Sequence, residues 1–79
     1  MDKNLVVYPI ASGDELNIFS ADNIATIHIK DMAGNTVQGP LYLAGTHNTV
    51  DIKQLPHDTY IIEVLFHNNK TGRSVFVKT

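Results

Sequence analysis

The feature that most constrains this chain is the period of its apolar residues, which is two and not 3.6. Clusters of Gly, Asn, Asp and Pro interrupt the alternation every eight to twelve residues or so, the rhythm of a β-sandwich or barrel. The longest clean run shows the principle. Tyr60, Ile62, Val64 and Phe66 fall on one side of an extended chain, while Glu63 and His67 fall on the other. Ile61 and Leu65 share the polar side, so that side is expected to be partly covered.

Six further strands follow from the same pattern. Leu5 to Tyr8 comes first and stops at Pro9, which has no N–H for a ladder. Leu16-Asn17-Ile18-Phe19 points Leu16 and Ile18 one way, Asn17 and Phe19 the other. In Ala25 to Lys30, Ala25, Ile27 and Ile29 share the dry face and Thr26, His28 and Lys30 the wet one. Asp31-Met32-Ala33-Gly34 then has turn chemistry: Asp accepts from backbone N–H groups, and Gly tolerates positive φ. The next strand, Thr36 to Leu43, is interrupted by Gly39-Pro40, which predicts a kink or a switch of sheet. Thr49 to Ile52 and Ser74 to Lys78 complete a set of seven. The expectation is one domain over residues 1–79, a seven-stranded antiparallel immunoglobulin-like β-sandwich.

Leu55-Pro56-His57-Asp58-Thr59-Tyr60 is the most informative local feature. In Greek-key sandwiches a Tyr opening the penultimate strand donates its hydroxyl to backbone a few residues upstream. A Leu-Pro turn leading into Tyr60 fits that device; the plainer reading is a β-prone core residue.

Composition narrows the function classes. With 79 residues there is room for one core of modest stability. No cysteine is present, which removes disulfides and thiolate metal sites. A net charge of −2 provides no field for nucleic acid or an anionic membrane, and no apolar run is long enough to span a bilayer. No basic, apolar and small-residue series opens the chain, so a signal peptide is not expected within it. Met1 reads equally as a natural start or as the start of an excised domain.

The polar side chains read mostly as plain surface. His28, His47, His57 and His67 are scattered, with no pair at ligand spacing, so no metal is expected. His28 and His67 could approach only if their strands are neighbours, with Glu63 nearby. The carboxylates do not converge as a general acid–base pair requires, and the three serines lack a nucleophile-elbow context. No phosphate-binding or dinucleotide loop occurs, so no cofactor and no catalysis are expected. Tyr42 is the one residue suggestive of glycan binding, its ring turned outward between Leu41 and Leu43. The Asn69-Lys70-Thr71 sequon reads as chance.

Several segments in order resemble the type A C-terminal sorting domain of the type IX secretion system of Bacteroidetes. They are Tyr8-Pro9-Ile10-Ala11 with Leu16-Asn17-Ile18, then Ile27-His28-Ile29-Lys30-Asp31-Met32-Ala33-Gly34. Val50-Asp51-Ile52-Lys53-Gln54-Leu55-Pro56-His57-Asp58-Thr59-Tyr60 follows, and Arg73-Ser74-Val75-Phe76-Val77-Lys78 resembles the family's basic, β-prone tail. Asp31, Gly34, Leu55, Pro56 and Tyr60 are the structural positions of these motifs. Two positions depart from the pattern. Ile10-Ala11 stands where the family has Asn-Pro, and Asp58 stands where it has Gly; Asp is among the few residues that can still enter the left-handed region, at some cost.

The resemblance implies a noncatalytic module that directs an exported cargo across the outer membrane. Its implied partners are secretion-machinery proteins and a cargo domain upstream. The implied destination is the cell surface or the medium, by way of the periplasm. Half of the basic residues, Lys70, Arg73 and Lys78, lie in the last ten. On residues alone they defend an edge strand; the resemblance implies a tag read by the machinery. The alternatives are a sorting-domain-like small secreted module of the same bacteria, or a free-standing or accessory adhesive or glycan-binding sandwich.

Overall fold

A computed structural model describes residues 5–9 and 13–78. Seven strands follow in order: β1 (Leu5–Pro9), β2 (Glu15–Ser20), β3 (Ile24–Asp31), β4 (Thr36–Tyr42), β5 (His47–Asp51), β6 (Asp58–Phe66) and β7 (Thr71–Lys78). All pairings are antiparallel. They form a three-stranded sheet, β1-β2-β5, and a four-stranded sheet, β4-β3-β6-β7. The chain is therefore all-β, and its two sheets have the arrangement of an immunoglobulin-like sandwich.

The inward rows of both sheets make the core. Leu5, Leu16, Ile18 and Val50 from the smaller sheet meet Ile27, Ile29, Tyr60, Ile62, Val64, Phe66 and Phe76 from the larger. Leu16, Ile18, Ile27, Ile29 and Ile62 are completely buried. Each such side chain stabilises the fold by roughly 1.5–3 kcal/mol relative to exposure, so these alternating rows drive the two sheets together.

Three local features of the strands have physical causes. In β3 a register shift between Ile24 and Thr26 inserts an extra residue. Ile24 takes the inward place expected for Ala25, which is only half-buried. In β4, Gly39 adopts φ 107° and the following Pro40 peptide is cis. The strand kinks there but keeps β3 as its partner on both sides, with Ile27 opposite Leu41 and Ile29 opposite Gln38. The kink is thus a bulge within one sheet. Third, Asp58 does not enter the left-handed region; among the described residues Asn69 (φ 68°) is the one non-glycine there. Asp58 already pairs with Lys78 as the first residue of β6, which requires extended backbone, and its carboxylate accepts from the Thr59 N–H at 2.8 Å.

The Asp31 hairpin follows from its residues. The Asp31 carboxylate accepts from the N–H groups of Ala33 (3.0 Å) and Asn35 (2.9 Å), and Gly34 takes φ 93°. β7 begins at Thr71, earlier than the expected Ser74, because its pairing with β6 runs unbroken from Leu65–Thr71 to Asp58–Lys78. The turn between them is closed by Asn69 N–H to Phe66 O and Lys70 N–H to Asn68 Oδ1, both 3.0 Å.

Candidate recognition surface

Two surfaces follow from this architecture: the corner that closes the sandwich, and the outer face of the four-stranded sheet. At the corner, the Tyr60 hydroxyl donates to the Pro56 carbonyl oxygen at 2.6 Å. Leu55 is buried beneath it, and the Tyr60 ring lies 5.6 Å from that of Phe76 on β7. Burial, first, and then the negative charges of Asp58 and Asp31 raise the Tyr60 phenol above its ordinary value. Lys78, two residues beyond Phe76 on the same inward row, is also buried. Its ammonium donates to Leu55 O at 2.6 Å and Lys53 O at 3.1 Å. The three basic residues of the tail therefore separate. Lys78 is an internal strut, while Lys70 and Arg73 are exposed.

Arg73 stands on the outer face of the four-stranded sheet, directly opposite Glu63, which is itself opposite His28. Lys30 completes the row with an ion pair to Glu63, Nζ to Oε1 2.7 Å. The Lys30 hydrogen bond holds the Glu63 carboxyl below its ordinary value; burial opposes it, and the charges of Lys30, Arg73 and His28 each add a smaller lowering. Ile61 flanks this row, with Lys30 on one side and Val75 on the other in register. Met32, Leu65 and Val75 are exposed around it. His28, Ile61, Glu63, Leu65, Arg73 and Val75 are among the residues that line an open concavity of about 960 Å³.

The remaining candidates sit elsewhere. Asp31 and Gly34 shape the β3–β4 turn, and because Asp31 is the register partner of Tyr60 that turn lies at the same end of the sheet as the corner of Leu55, Pro56 and Tyr60. His28 lies on β3 and His67 just past the end of the neighbouring β6, and among the described residues no group of three His, Asp or Glu could hold a metal ion. Tyr42 is turned outward and is 81% exposed. On the smaller sheet Phe19 stacks between Tyr8 (5.8 Å) and His47 (4.3 Å), an arrangement not anticipated from the residues. Ile10 and Ala11, which depart from the family pattern, lie outside the described residues.

Sequence reasoning had no means of grouping Lys30 with Arg73. Alternation assigns Lys30 to a wet face and leaves the row of Arg73 undecided, and their proximity depends on β6 lying between β3 and β7, a property of the topology. Residues 6–78, nearly the whole chain, match the family model described as the secretion system C-terminal sorting domain. No curated protein matches the chain.

Proposed function

The chain belongs to the family of type IX secretion system C-terminal sorting domains, and on that premise we propose that it is a noncatalytic module carrying an upstream cargo through the outer membrane. The observation that carries the reading is the extent of the match, 73 of 79 residues counted from 6 to 78, on a sandwich of seven strands. In this reading the cargo is exported to the periplasm first and then released or displayed at the cell surface. Exposed Lys70 and Arg73 contact the secretion machinery. Lys78 contributes differently, by holding β7 onto the corner.

A reporter directed to the periplasm and fused ahead of residues 1–79 tests this. In a host with type IX machinery the reporter is expected outside the cell. Periplasmic retention of a fusion whose domain is folded overturns the reading. Deletion of β7 is a poor control, because it removes Phe76 and Lys78 from the core. Lys70→Ala with Arg73→Ala leaves packing intact, and that pair is expected to retain the reporter in the periplasm.

A further inference from the structure

We infer that the outer face of the four-stranded sheet docks an extended partner segment bearing a carboxylate between apolar side chains. This rests on the sorting reading for the partner's source, the secretion machinery, and adds the chemistry that recognises it.

Charge distribution is the first ground. The chain carries net charge −2, yet on this face Lys30, Arg73 and His28 surround one acid, Glu63. The outer face of the other sheet has the reverse character, with Glu15 directly opposite Asp51. Glu63 is engaged by Lys30 at 2.7 Å, which leaves the guanidinium of Arg73 as the planar, two-pronged donor best matched to an incoming carboxylate.

Apolar exposure is the second. A charge on an edge strand ordinarily serves to prevent strand addition. Here the same outward row continues from Arg73 into Val75 and Val77, which are 54% and 52% exposed. Two exposed valines beside one arginine make this face apolar as well as basic. Val75 forms, with Leu65, Met32 and the recessed Ile61, an apolar rim beside the basic row, and Val77 continues the exposed row along β7. A phosphate-rich ligand is disfavoured by Glu63 at the centre of the row. A segment alternating apolar residues with one acid meets both requirements at β-strand spacing.

The test uses ¹⁵N-labelled residues 1–79 and a capped peptide of alternating valine and threonine with one central glutamate, beside its glutamine counterpart. Saturable amide shifts are expected at Thr26, Glu63, Arg73 and Val75. The glutamine peptide is expected to bind about tenfold more weakly, the loss of one charge-assisted contact. Arg73→Gln should weaken the glutamate peptide to the same degree, with an unchanged thermal midpoint. Absence of saturable shifts, or shifts on β1, β2 and β5, overturns the inference. Concentration-dependent broadening of these residues without peptide assigns the face to a second copy and also overturns it. In the reporter host, Arg73→Gln with Val75→Thr should keep the cargo periplasmic. If that variant is exported like the unaltered fusion, the docking face is refuted while sorting stands. If the unaltered fusion itself is never exported, sorting fails and the peptide titration alone decides the face.

Discussion

Lys78 Nζ donates to the carbonyl oxygen of Leu55 at 2.6 Å, tying the end of the last strand to the turn before the penultimate one. The same ammonium reaches Lys53 O, so two carbonyls of one turn converge on a buried cation. Hydrogen bonds to charged groups stabilise by about 1.5–3 kcal/mol, and unpaired buried acceptors cost a similar amount. Lys78→Met keeps most of the stem and is expected to lower stability by about 1.5–3 kcal/mol. Equilibrium urea unfolding measures this; an unchanged midpoint would show the carbonyls satisfied by water.

The neighbouring bond, Tyr60 to Pro56 at 2.6 Å, has two measurable consequences. Tyr60→Phe is expected to cost about 1–2 kcal/mol near neutral pH. The second consequence is alkaline. Folding raises the Tyr60 phenol above 10.0, by burial first and then by Asp58 and Asp31, so the native state favours its protonated form. That contribution is complete below 10.0 and is lost as pH climbs through the folded value. Melts recorded across this range should show wild type losing its advantage over Tyr60→Phe. A constant gap between the two proteins would contradict the assignment.

At acidic pH the sign reverses. Asp31 is held below 3.8, chiefly by the Asn35 N–H, with the Asn35 side chain and the N–H groups of Ala33 and Gly34 adding to it. Glu63 is held below 4.5, chiefly by Lys30. Depressed carboxyls stabilise above their unfolded values and cease to do so as pH falls through the folded ones. The half-exposed Lys30–Glu63 pair is open enough to solvent to be worth little, which leaves the Asp31 turn as the main acid-sensitive element. Asp31→Ala should melt lower than wild type at neutral pH and converge with it at the acid end. Glu63→Gln should follow the wild-type curve closely, and a reversed ranking would refute this.

Of Gly34, Gly39 and Gly45, Gly39 is the least able to accept a side chain. A Cβ there would lie 2.8 Å from Ile27 O, on backbone at φ 107°. Gly39→Ala is expected to destabilise by about 1–3 kcal/mol through strain at the β3–β4 bulge. Thermal melts compared with Gly45→Ala, where a Cβ meets nothing within 4 Å, separate the clash from the φ penalty that both share.

Much of this fold was legible because alternation is a local property. The inward rows of β2 and β6 and the outward ring of Tyr42 need no knowledge of which strands pair. The corner was legible because Leu55, Pro56 and Tyr60 act within six residues. What could not be read depended on partners distant in the chain. β7 is an instructive case: Arg73, Val75 and Val77 form one row, Ser74, Phe76 and Lys78 the other. Either row buries a charge if turned inward. Phe76 and Lys78 go inside because Lys78 finds Leu55 O and Lys53 O there, and that depends on a turn some two dozen residues away. The grouping of Lys30 with Arg73 likewise awaited the strand order.

The most direct test of the account is the share of a periplasm-exported reporter, fused ahead of residues 1–79, that reaches the medium or cell surface. It should be measured in two isogenic hosts, one with intact type IX machinery and one without. Most of the reporter outside the first host, and nearly all of it periplasmic in the second, is the predicted result. Equal periplasmic retention in both, with the domain shown to be folded, would contradict the account.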